Sequence, residues 1–173
     1  SEEHLRALGF NRVKGFCWGS GLIDLNFSEI ELRQKLNSRW KRVLKKTVKN
    51  QIIIKKVEVT DEVMDTIISA YELAQGNKAY TGISSLLIRN LSKQCAEHWN
   101  FNIFVAYKKS EDGNLVEIGF RVCIRHGNTT TDFLVDVNDL GREFDASSAL
   151  YWHAILYAKS SGCKWFDLGG LNE

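Results

Sequence analysis

Apolar residues recur along this chain at two spacings, and the switches between them divide it into elements. Alternating or β-branched runs predict strands at 20–27 ("SGLIDLNF"), 51–59 ("QIIIKKVEV"), 102–109, 115–125, 129–137 and 164–170. Helical spacing takes over in between. Ser28-Glu29-Ile30-Glu31 has the form of a capping box, in which the Ser28 hydroxyl and the Glu31 carboxylate each satisfy an orphan amide. The helix it opens is predicted to continue to Asn50, burying Leu32, Leu36, Trp40, Val43 and Val48. Further helices are predicted over 60–77, 84–99 and 149–161, the last of them apolar nearly all round and therefore a core element.

Turn chemistry supplies the connections. Asp112-Gly113 lies between two alternating runs and predicts a hairpin, His126-Gly127-Asn128 predicts another, and Gly162 ends the last helix. Strand 129–137, helix 149–161 and strand 164–170 in that order predict a right-handed parallel crossover. The expected fold is mixed α/β: a mostly antiparallel sheet flanked by helices, with one C-terminal β-α-β crossover.

Composition excludes several classes. A chain of 173 residues, 44% hydrophobic, suits one domain with a real core. No apolar run is long enough to cross a bilayer, so no integral membrane segment is expected. The opening "SEEHLRALGF" is polar and acidic, which predicts a cytoplasmic location. Cys17, Cys95, Cys123 and Cys163 form no C-x-x-C pair, and His4, His98, His126 and His153 have no ligand spacing. Reduced thiols and no metal are expected.

Charge changes the picture more. The net value is only +2, yet residues 32–57 carry ten Lys/Arg and no acid, leaving the rest of the chain at −8. Lys35, Arg39, Arg42, Lys46 and Lys49 recur at steps of four and three, which places them on one helical stripe, with Lys41 and Lys45 beside it. Such a stripe is either a solvated face balanced by acids elsewhere in the fold or a contact for backbone phosphates. No aromatic residue interleaves it, so base stacking is not expected.

A second candidate is the eleven-residue segment 138–148, long for a strand-to-helix connection. It carries Asp139, Glu143 and Asp145 against Arg142 alone, a poor cradle for pyrophosphate but a possible seat for a cationic amine. Ser147 and Ser148 are its candidate helix caps. Asp167-Leu168-Gly169-Gly170 ends a strand beside the crossover, where open α/β sheets place ligands. Asp136 is a candidate base, Lys78 and Tyr80 are candidate substrate contacts, and His153 reads as a hydrogen-bonded core residue. No Ser-His-Asp or Cys-His constellation, Walker loop or Rossmann glycine motif is present.

These stretches carry a family resemblance. "LGF" with "LIDLNFSEIELRQKL", then "RWKRVLKKTVKNQIII", and above all "ALYWHAILYAKSSGCKWFDLGGLNE" (149–173) resemble one half of the Fem-type aminoacyltransferases, relatives of the GNAT acyltransferases. The resemblance implies a cytoplasmic enzyme that moves an aminoacyl group from aminoacyl-tRNA to an amine of a cell-wall or surface-polymer precursor, with no bound cofactor. Fem-type proteins usually hold two GNAT-like domains. Residues 1–19 are therefore expected to be a linker or the end of a preceding domain, and 20–173 the GNAT-like domain of a fragment or of a partial relative. The resemblance assigns no catalytic residue. The coenzyme A loop pattern of classical GNAT enzymes has no clean match in 138–148, which favours a tRNA donor over acetyl-CoA. A coenzyme A-dependent N-acyltransferase acting on an amino sugar or similar amine and a non-enzymatic RNA-binding or docking module are the alternatives. The acceptor, the group moved and the oligomeric state stay open.

Overall fold

Among the described residues six strands form a single sheet in the order β1-β6-β5-β4-β3-β2. The computed structural model describes residues 2–11, 19–78, 82–94 and 96–170, without the side chains of Asn77 and Lys78. Along the chain the elements are α1 (Glu2–Ala7), β1 (Ser20–Asp24), α2 (Glu29–Lys35), α3 (Ser38–Lys49), β2 (Ile53–Val57), α4 (Asp61–Lys78), α5 (Ser85–Ser92), β3 (Trp99–Lys109), β4 (Leu115–His126), β5 (Thr129–Val137), α6 (Asp139–Glu143), α7 (Ala146–Ser160) and β6 (Trp165–Gly170). Every neighbouring pair is antiparallel except β5 and β6, which the α7 crossover makes parallel. This is the mixed sheet with one C-terminal β-α-β unit that the residue pattern predicts.

Alternation along β3 and β4 sorts side chains to two core layers. Phe101, Ile103, Val105, Phe120, Val122 and Ile124 meet Met64, Ile67, Ile68 and Tyr71 of α4 and Ile88 of α5. On the opposite face Phe104, Ala106 and Cys123 meet Leu150, Ala154, Ile155 and Ala158 of α7, together with Leu25 and Leu32. Each such large side chain contributes roughly 1.5–3 kcal/mol by leaving water. The helix α7 is apolar all round because its outer side is also covered: Trp40 of α3 lies 5.7 Å from the Tyr151 ring.

The capping box forms as expected, with Ser28 and Glu31 bonded reciprocally. The single helix expected over 28–50 is instead two. Leu36 leaves the helix with ψ at 141°, and Asn37 starts α3 by accepting from the Trp40 amide at 2.9 Å. The break re-phases the chain: α3 buries Leu44 and Thr47, while Val48 is 72% exposed. Helix 84–99 is likewise shorter, since α5 stops at Ser92 and Trp99 joins the β3–β4 ladder opposite His126. The expected loop 138–148 is mostly helical. Asn138 caps α6 through the Gly141 amide, and α7 begins at Ala146, so Ser147 and Ser148 lie inside its first turn and are not its caps. Gly162, with φ at +81°, ends α7 as predicted.

Two glycines separate packing from propensity. A side chain at Gly141 would collide with the Ile118 carbonyl oxygen, whereas one at Gly76, in α4, would meet nothing within 4 Å. Urea denaturation should show Gly141→Ala losing about 1–3 kcal/mol. Gly76→Ala should gain about 0.5–1 kcal/mol.

Candidate active site

The seam between the parallel strands sets the site. β5 and β6 pair only at Thr129–Trp165, Thr130–Phe166 and Thr131–Asp167. Beyond that rung β5 stays with β4 as far as Val137–Gly119, and β6 stays with β1 as far as Ser20–Gly170. The two halves of the sheet therefore part, leaving the facing backbone groups of β5 and β6 without each other as partners. The fork opens at the C-terminal ends of the parallel strands, beside the start of α7, where ligands of open α/β sheets lie.

Asp167 stands in the crotch of the fork. It accepts from Ser20 Oγ, from the Gly169 amide at 2.9 Å and from Thr131 Oγ1 at 3.4 Å, so one carboxylate ties β1, β5 and β6 together. The Gly169 φ of +76° allows that turn of the chain. Gly170 ends β6 at the surface.

On the α7 face of the fork is a group the residue pattern did not single out. Arg121 is ion-paired with Asp132, the two side chains being 4% and 15% exposed. The guanidinium also reaches Ser147 Oγ at 3.3 Å and lies 4.3 Å from the centre of the Tyr151 ring. Burial pushes the Asp132 carboxyl up, and Arg121 only partly offsets this. Tyr151 is pushed up as well, chiefly by burial. The signal in the sequence was an arginine at an inward-facing position of strand 115–125, between Gly119 and Cys123 on the α7 face.

The opposite face carries Asp136. A cavity of about 400 Å³ is lined by Ala70, Leu73, Ala74, Asp136, Asp139 and Arg142, and a smaller one of about 220 Å³ adjoins it at Ala74 and Asp136. Two sequence candidates, Asp136 and Arg142, thus share one cleft with an apolar wall from α4. Arg142 is anchored by bonds to the Val137 carbonyl at 2.5 Å and to Asp139 at 2.6 Å.

The basic stripe is redistributed. Arg39, Arg42, Lys46 and Lys49 keep a common side of α3, but Lys35 sits on α2, its ammonium 4.1 Å from the centre of the Phe27 ring. The helix α3 runs antiparallel to α7, with Trp40 against Tyr151 and Lys46 paired to Asp145 at 2.9 Å. Its cations therefore flank the same end of the sheet as the fork. The candidates Tyr80 and the Lys78 side chain lie outside the described residues. His153 is half-buried edge-on to Phe104, 5.3 Å between ring centres, rather than held in a hydrogen bond. No group of metal-ligating side chains occurs among the described residues, and no described helix is long and apolar enough to cross a membrane.

Residues 31–173 match the acetyltransferase (GNAT) domain family. The chain belongs to that family. Among solved structures the GNAT domain is similar to FemX, with a TM-score of 0.77 and 12% identity over 99% of this chain and 60% of that one. It is also similar to the C-terminal domain of a putative lysylphosphatidylglycerol synthetase from Agrobacterium fabrum (TM-score 0.59, 14% identity, 88% of this chain and 46% of that one). A third likeness is to L-PGS from Bacillus licheniformis (TM-score 0.59, 15% identity, 90% and 46%). The GNAT domain thus spans about half to three fifths of the structures it matches, and at these identities the likeness is one of fold. No curated protein matches the sequence.

The buried pair has a measurable signature. Asp132→Ala should cost about 3–5 kcal/mol in urea denaturation because it strands the Arg121 charge, while Arg121→Met with Asp132→Leu should recover most of that loss. Burial lowers the His153 pKa, so the unfolded chain takes up that proton first as pH falls. Stability should drop as pH falls below about 6.5, and His153→Phe should flatten that part of the profile.

Proposed function

We propose that this GNAT domain transfers an aminoacyl group from aminoacyl-tRNA to an amine of a cell-wall or surface-polymer precursor. The observation that carries the reading is the fork at the end of β5 and β6, flanked on one side by the α3 cations and opening on the other toward the Asp136 cleft. The fold likeness to FemX over nearly the whole chain supports it. One other similar structure is named for a putative synthetase whose product carries a lysyl group. On this reading residues 20–173 are the transferase domain and 1–19 the linker to, or end of, a preceding one.

The chemistry needs three things: a neutral amine, a fixed ester carbonyl and donors for the developing oxyanion. The amine nitrogen attacks the aminoacyl carbonyl, a C–N bond forms, and the ester C–O bond to the tRNA ribose breaks. The amine proton passes to Asp136, which delivers it to the departing ribose oxygen, so the step consumes and releases no net proton. Backbone amides of β5 and β6 beyond their last shared rung supply the oxyanion donors, and the cleft lined by Ala70, Leu73 and Ala74 receives the acceptor's alkyl arm. Arg39, Arg42, Lys46 and Lys49 grip the tRNA backbone without reading bases, while Arg142, Asp167, Gly169 and Gly170 shape the rest of the site.

Coenzyme A-dependent N-acyl transfer is the second reading, favoured by the family match itself. The two separate on donor use by the full-length protein. Transfer of labelled amino acid from charged tRNA to a precursor amine is expected; turnover of acetyl-CoA with no transfer from any charged tRNA would overturn the first reading. Asp136→Asn should lower kcat about 100-fold or more if it takes the amine proton. Replacing Arg39, Arg42 and Lys49 together by Ala should flatten the slope of log K against log salt for RNA binding by about 2–3.

A further inference from the structure

The helix α7 is capped unlike its neighbours. Ser28, Asn37, Ser84 and Asn138 start α2, α3, α5 and α6 from extended backbone, and each side chain accepts a bond from a first-turn amide. Asp145 starts the fifteen-residue α7 from the left-handed region, with φ at 58° and ψ at 33°, and its carboxylate caps nothing. A residue with a Cβ is disfavoured there. The carboxylate is turned instead to Lys46 Nζ at 2.9 Å, and the same ammonium reaches the Glu143 carbonyl at 3.2 Å. The Asp145 amide meanwhile bonds the Arg142 carbonyl at 3.3 Å, so this residue closes α6 as it opens α7.

Lys46 is also a member of the α3 row. Among the described residues Arg39, Arg42 and Lys49 have no carboxylate partner, so Lys46 is the row cation already engaged by an acid. An incoming backbone phosphate would meet three open cations and one that must exchange its partner. The pair is half exposed, 53% for the lysine and 31% for the aspartate, so exchange requires no burial of charge.

We propose that Lys46 and Asp145 form a latch through which phosphate binding on α3 resets the N-terminus of α7. This rests on the reading that the α3 row meets RNA. A phosphate oxygen takes the Lys46 ammonium and repels the Asp145 carboxylate. Asp145 then turns to extended backbone and accepts from the Ser147 amide, the Ser148 amide being already bonded to the Asp145 carbonyl at 3.0 Å. The first turn of α7 touches the fork through Ser147, whose hydroxyl and carbonyl oxygens receive the Arg121 guanidinium. Seating the donor would thereby adjust the site where its acyl group arrives. Lys46 and Asp145 are positioning residues in this scheme.

Amide hydrogen exchange at Ser147 of the full-length protein, with and without a short RNA hairpin at low salt, tests it. The hairpin should slow exchange about fivefold in the wild type, the value of one side-chain cap. Lys46→Met should show that slowing without RNA, Lys46→Arg should restore the dependence on RNA, and Asp145→Gly, which suits φ of +58°, should show slow exchange in neither state. A hairpin that binds without changing this amide overturns the latch while the α3 reading stands. Fast exchange in Lys46→Met overturns it as well. Absence of any RNA binding removes both the latch and the role of the row.

Discussion

Everything at the working end of this GNAT domain depends on where one ladder of hydrogen bonds stops. β5 and β6 are joined by three rungs and then diverge, because β5 follows β4 and β6 follows β1. Unpaired backbone is costly when buried and useful when it faces a ligand. The divergence is held open by interactions on both faces. Asp167 ties the last rung to β1 through Ser20, and the Arg121–Asp132 pair joins β4 and β5 to the first turn of α7. A buried ion pair of this kind adds little net stability, yet its geometry is demanding, which suits a role in holding three elements in register.

The charge distribution follows the same geometry. The acid-free segment 32–57 is not one basic helix but a short helix, a longer one and an edge strand, and only the longer one presents its cations beside the fork. Lys56 is drawn off by the Tyr157 hydroxyl at 2.7 Å and Lys41 by the Gln34 carbonyl at 2.7 Å, so local partners thin the apparent excess. What remains on α3 is a narrow row against a body of opposite net charge. That is an arrangement for orienting a polyanion, not for coating it.

Much of this was legible in the chain. Alternation gave the strands and their two faces, Asp112-Gly113 gave the hairpin, and the order of the last three elements gave the parallel crossover. The misjudged places share a cause. Leu36-Asn37-Ser38 holds a cap that a continuous apolar spacing concealed, and Asn138 and Gly141 hold a helix that a count of loop residues concealed. In both, a local side-chain bond to one amide outweighed periodicity.

The sequence by itself determined the layered mixed sheet, because burial of apolar faces acts through periods of two and 3.6 residues that can be read in any window. It also determined that positive charge is concentrated in one segment. Only the tertiary structure decided that Asp136 and Arg142 share a cleft, that Arg121 finds Asp132 and Ser147, and that Lys46 meets Asp145 across 99 positions. Those meetings depend on how helices cross the sheet and where two strands part. A side chain's partner across such distances is chosen by packing, which no local pattern records.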